Sequence, residues 1–176
     1  KQPRPVGEAA ATNASALLRG ARGNSGVILS LLFRGFAKAV KDKDTIDGRD
    51  LAIALDFGVA AAYKAVMKPA EGTILTVSRL TAARAADAAR QTPNDPEAVL
   101  EAAIAEGQLA LEHTTEMNPV LKKAGVVDAG GKGFLVILQG MLDSLRGVPM
   151  PEGDSEGEAK AESKTDYAAI AAEEIT

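Results

Sequence analysis

The 176-residue chain has no cysteine, no tryptophan, a single histidine and only 3% aromatic residues. Without cysteine it has neither a disulfide scaffold nor a thiolate metal site, and His113 alone cannot build an imidazole metal cluster. No run reaches the roughly 18 consecutive apolar residues of a membrane helix, and no charged-then-apolar leader opens the chain, so the expectation is a soluble, cytoplasmic protein. Basic clusters are missing too. The net charge is -4 and no Lys/Arg group is dense enough to follow a phosphate backbone, which argues against a nucleic acid partner. There is no convincing strand alternation and no nucleophile elbow. The run Gly20-Ala21-Arg22-Gly23-Asn24-Ser25-Gly26 lacks both the preceding strand and the Gly-Lys-Ser/Thr ending of a P-loop.

The chain does have a hydrophobic content of 46%, drawn mainly from Ala, Val, Leu and Ile. Small and aliphatic side chains of this kind suit closely packed helices, so the expected fold is all-α, an up-and-down antiparallel bundle or barrel of about six helices. Residues 1–147 read as the domain. Residues 148–176, with Pro149, Pro151 and aperiodic Gly, Ser, Glu and Lys, read as a flexible linker toward a following domain. The chain opens on Lys1 and carries no terminal signature, so it reads as a piece of something longer.

A first helix is expected over about Gly7–Arg19. A second, from Asn24 to about Lys41, carries Val27, Ile28, Leu31, Leu32, Phe36 and Val40 at three- and four-residue steps, the period of one buried stripe. Asp47 can cap a third helix ending near Met67, and Thr73 a fourth running to about Arg90. Asp95-Pro96 is a cap followed by proline at the first helical position, and Asn118-Pro119 repeats that signal for a short helix ending at Gly125. A last helix follows Asp128 and runs to Gly147.

Short connections favour antiparallel neighbours, and that alternation sorts the loops. Residues 20–26, 68–72 and 117–133 fall at one end, bringing together three glycine-bearing segments with Arg22, Ser25, Lys68, Glu71, Thr73, Asp128 and Lys132. The other end receives ordinary charged turns, including Asp42, Asp44 and Asp47. Gly20 to Gly26 is either an anion site at a helix start, where unpaired N–H groups and the positive dipole end face outward, or a glycine-rich turn with a good cap. Asp128 can accept from a ribose hydroxyl or cap the last helix, and both roles are compatible. Glu71 reads as a first-turn acidic residue or a base, and Thr73 and Thr76, close to the same end, as caps. His113 fits a surface or capping role.

Three blocks carry a resemblance: Gly20 to Ser30, Met67-Lys68-Pro69-Ala70-Glu71-Gly72-Thr73-Ile74-Leu75-Thr76, and Val120 to Gly133. They resemble the nucleotide-binding domain of bacterial fatty acid kinase, which is itself similar to the ADP-binding subunit of dihydroxyacetone kinase. The resemblance implies ATP or ADP held with Mg2+ at one end of a helical barrel. Gly23, Asn24, Ser25 and Gly26 would contact phosphates and Asp128, Gly130 and Gly131 would border the nucleoside. Arg22, Met67, Thr73 and Met117 would line the site. The phosphoryl acceptor would be a fatty acid carboxylate on a separate fatty-acid-binding partner protein, and the parent protein would form a homodimer. A dihydroxyacetone-type phosphotransferase subunit and a non-catalytic helical interaction module are the alternatives. The family's aspartate-rich magnesium stretch, of the form Asp-Gly-Asp-Thr-Gly-Thr-Asn, has no match here. The resemblance places it upstream of Lys1, so no metal ligand is expected in this chain and the fragment alone is expected to be inactive.

Overall fold

A computed structural model describes residues 23–147, with side chains from Ser25 onward. The expected helix over Gly7–Arg19, Arg22 and the segment 148–176 lie outside the described residues. The described residues form six helices and no strand: α1 Gly23–Ala39, α2 Gly48–Ala65, α3 Ile74–Gln91, α4 Pro96–Met117, α5 Pro119–Ala124 and α6 Ala129–Leu145.

Local chemistry sets most of the helix starts. Asp47 and Asp50 make a reciprocal capping box on α2, Asp47 Oδ1 accepting from the Asp50 N–H at 2.8 Å and Asp50 Oδ2 from the Asp47 N–H at 3.2 Å. Asp95 caps α4 ahead of Pro96, and Asn118 caps α5 ahead of Pro119. Gly125 ends α5 in the left-handed region, at φ 68°.

The long helices alternate in direction, with α1 against α2, α2 against α3 and α3 against α4. Helix α6 closes the set against α4, α3 and α1. The core between them is mostly Leu, Val, Ile and Ala, as the scarcity of aromatics requires. Phe33, Phe36 and Phe134 are the exception, with Phe33 5.9 Å from Phe134 and 6.4 Å from Phe36 between ring centroids, which ties α6 to α1.

Glycines decide how closely α1 and α2 approach. A Cβ on Gly35 would lie 2.6 Å from Gly58 Cα, and one on Gly58 would overlap the Leu32 carbonyl oxygen. The buried hydroxyls Ser30, Ser78, Thr81 and Thr114 each donate back to a carbonyl three or four residues earlier. Among the described residues no buried side-chain polar atom lacks a partner. No described helix is long and apolar enough to cross a membrane.

Candidate functional site

The alternation brings the first turn of α1, the connection into α3 and the connection into α6 to one end of the bundle. Asp128 joins two of these. Its side chain caps α6 by accepting from the Gly131 N–H at 2.8 Å, and it also accepts from the backbone N–H of Ile74, the first residue of α3. One carboxylate therefore takes up N–H groups that neither helix can satisfy internally. Burial pushes its pKa above the ordinary carboxylate range, and the bonds from Gly131 and Ile74 only partly offset that.

The α1 turn meets the same place. A Cβ on Gly130 would sit 3.0 Å from Ser25 Cβ, 3.2 Å from Ser25 Oγ and 3.3 Å from Asp128 Oδ2. The bare backbone at Gly130 is what allows Ser25 and the Asp128 turn to share this space. Gly131 is buried against Val77 and Leu111. Helix α4 supports the turn from behind: Thr114 Oγ1 accepts from the Asp128 N–H at 3.1 Å, and Thr115 Oγ1 donates to the Val126 carbonyl at 2.8 Å.

The connection into α3 is held by its own network. Thr76, buried, accepts from the Gly72 N–H at 2.8 Å and donates to Glu71 Oε2 at 2.6 Å. Arg79 donates to the same Glu71 oxygen at 3.1 Å and to Tyr63 Oη at 3.3 Å. The Thr76 bond, with help from Arg79, holds Glu71 below the usual carboxylate range despite some burial. Gly72 has φ 78°, and a Cβ there would meet Met117 Cβ at 2.9 Å, so this loop is seated on the α4–α5 junction.

Of the residues singled out from the sequence, Ser25, Asp128 and Gly130 come together directly, with Gly131 bonded to Asp128. Thr73 sits beside them, but its hydroxyl is committed to capping α3, accepting from Leu75 N–H at 3.2 Å and donating to the Ala70 carbonyl at 2.8 Å. Met117 backs Gly72 and is half exposed, while Met67 is almost wholly in solvent at 97% exposure and packs against nothing at this end. Gly23 and Gly26 lie in the α1 turn. The side chain of Asn24 lies outside what the structure describes.

Thr76, placed near this end by the sequence and read there as a cap, instead ties Gly72 to Glu71. Thr114, Thr115 and the Ile74 amide were not foreseen, because their bonds join residues far apart in the chain or use backbone atoms. Glu71 is not the first-turn acidic residue of α3 that the sequence suggested. It precedes the Thr73 cap by two positions and fixes the loop. Asp47 sits at the opposite end as the α2 cap, and His113 is exposed on α4. Among the described residues no group of three or more His, Cys, Asp or Glu side chains is placed to hold a metal ion.

The family model of the DAK2 domain, a dihydroxyacetone kinase-like domain, matches residues 1–143. The chain is 48% identical over 147 residues to Protein YloV of Bacillus subtilis, covering 84% of this chain and 26% of YloV. It is 49% identical over 142 residues to an uncharacterized protein of Staphylococcus haemolyticus, covering 81% of this chain and 26% of the relative. The chain thus spans about a quarter of the length of the curated relatives it matches. On the strength of the family match across most of its length, the chain belongs to the DAK2 domain family.

Proposed function

We propose that the chain is the nucleotide-binding domain of a kinase that moves the ATP γ-phosphoryl group onto a fatty acid carboxylate presented by a partner protein, giving an acyl phosphate. The observation that carries this reading is the shared space at Ser25, Gly130 and Asp128, where backbone is left bare at the meeting of α1 and α6. Gly23, Asn24, Ser25 and Gly26 would take the phosphates, using N–H groups of the α1 turn and the positive end of its dipole. Asp128, Gly130 and Gly131 would border the nucleoside. A carboxylate offers about four acceptor positions, and Asp128 uses two of them on Gly131 and Ile74, which leaves capacity for a hydroxyl or amine. Arg22, Met67, Thr73 and Met117 would form the rim.

The described residues supply no carboxylate set for Mg2+. Magnesium prefers octahedral oxygen ligation, so its ligands in this reading come from elsewhere in the parent protein. Phosphoryl transfer depends more on positioning and charge neutralisation than on a protein nucleophile. The acceptor rests on the likeness of the three sequence blocks to fatty acid kinase. The match to a dihydroxyacetone kinase-like domain favours a second reading, transfer to dihydroxyacetone.

Titrating ADP with Mg2+ into this chain, and into one extended upstream, tests the nucleotide assignment. The expected result is tighter binding by the extended chain. Negligible binding by both sinks the kinase reading and leaves a helical interaction module. An acyl-phosphate assay with long-chain fatty acid, run beside a dihydroxyacetone phosphorylation assay on the extended chain with its partner, then assigns the acceptor.

A further inference from the structure

On the outer face of the bundle, α1 and α2 enclose a groove of about 250 Å³. Leu31, Ala61 and Ala65 give it an apolar floor, and Arg34, Lys38 and Lys64 supply the charge around it. Gly35 and Gly58 bring the two backbones together, and the small residues Gly35, Ala61 and Ala65 leave the space between the longer side chains that rim the groove. All three cations are exposed, and none pairs with a carboxylate among the described residues. By contrast Lys43, Arg79, Arg90 and Arg146 each face an acidic partner. One turn from Ala61 on α2, Phe57 is 52% exposed, and Ile53, a further turn away, is 48% exposed, so the apolar character extends beyond the groove.

The chain itself carries the complementary charge. Residues 148–176 contain eight Asp/Glu and two Lys, a net charge of -6, whereas residues 1–147 contain 18 Lys/Arg and 16 Asp/Glu, a net charge of +2. Within that acidic segment Asp166-Tyr167-Ala168-Ala169-Ile170-Ala171-Ala172-Glu173-Glu174 combines three carboxylates with Tyr167, Ile170 and four alanines. Tyr167, Ile170 and Glu174 fall at the i, i+3, i+7 spacing of one helical face. We propose that residues 166–174 of this chain dock on the α1–α2 groove, setting Asp166, Glu173 and Glu174 against Arg34, Lys38 and Lys64, and Tyr167 and Ile170 against the apolar floor.

Reach is no obstacle. The 18 residues between Gly147 and Asp166 can span up to about 60 Å, more than twice the roughly 26 Å length of the 17-residue helix α1. Tethering also supplies a local concentration on the order of millimolar, so weak exposed pairs suffice for substantial occupancy, and that occupancy falls with salt. Docking would cover a basic, apolar face otherwise available to acidic partners.

Because the chain has no cysteine, an Ala169→Cys substitution in the full chain gives a single nitroxide attachment point. The expected result is that amide signals of residues 31–38 and 61–65 lose at least about half their intensity at ~20 mM salt and recover by ~500 mM, where the Debye length shrinks to a few ångströms. The loss should vanish in Arg34→Glu/Lys38→Glu/Lys64→Glu. It should return when that variant is combined with Asp166→Lys/Glu173→Lys/Glu174→Lys. Uniform attenuation, none at low salt, or equal attenuation in the reversed-charge groove overturns the proposal. So does attenuation that passes from a labelled chain to an unlabelled one in a mixture, which assigns the groove to a second copy.

Discussion

Replacing Asp128 by alanine removes two bonds at once, and their joint cost can be estimated. Loss of the α6 cap costs about 1 kcal/mol. The Ile74 N–H, at the first position of α3, has no intrahelical partner, and leaving such a buried donor unmet costs about 1–3 kcal/mol. Ile74 is 1% exposed, so water does not readily replace the lost acceptor. Against this stands relief of the burial cost on the ionised carboxylate, the cost that raises its pKa. The net expectation is a loss of about 1–3 kcal/mol at neutral pH, or several degrees in Tm for a chain of this size.

The pH dependence has a definite sign. A carboxyl whose folded pKa is raised contributes stability that is fully present below its unfolded pKa and is lost as pH rises through the folded value. The deficit of Asp128→Ala should therefore grow on acidification, as wild type gains from a protonated Asp128 and the variant cannot. Urea unfolding of both proteins, followed by far-ultraviolet circular dichroism from about pH 4 to 7, measures it with the other titrating groups common to both. A deficit under about 0.5 kcal/mol throughout refutes the double-cap assignment, and one that shrinks in acid refutes the dominance of burial over the two N–H bonds at Asp128.

Two other substitutions probe the frame around the site. Gly58→Ala should cost at least about 2 kcal/mol, because the new methyl meets the Leu32 carbonyl and α1 must move away. A thermal scan within a degree or two of wild type would show that the helices are not in backbone contact there. Glu71→Gln should cost less than about 1 kcal/mol, since the pair with Arg79 is half exposed and screened. Glu71 is held below its ordinary pKa, so its contribution is present above the unfolded value and lost as pH falls through the folded one. The difference from wild type should therefore disappear in strong acid, and a gap that persists there would place its origin outside the carboxylate.

What could be read from the sequence was whatever is encoded locally. Asp47, Thr73, Asp95, Asn118 and Asp128 all cap the helices expected of them, because cap, proline and first-turn chemistry act within four residues. The three- and four-residue hydrophobic period supplied the helices and alternation supplied the convergent end. Ties across the chain left no such trace. Thr114 bonds Asp128 fourteen residues away and Arg79 bonds Tyr63 sixteen residues away, and neither residue type announces a partner. Asp128 could be read as a cap on α6 but not as an acceptor for Ile74, since only the packed bundle brings α3 to it. The pairing of Gly35 with Gly58 was equally silent, because close approach is a property of two helices together.

The central claim is that nucleotide binds where α1, α3 and α6 begin. An ATP titration of the isotope-labelled chain, followed amide by amide, tests it most directly. The account predicts shifts concentrated in residues 23–26, 72–75 and 128–133, with the opposite-end turns at 40–47 and 92–95 unmoved. Shifts centred on those opposite turns, or none anywhere at millimolar ATP with Mg2+ in both this chain and one extended upstream, would contradict it.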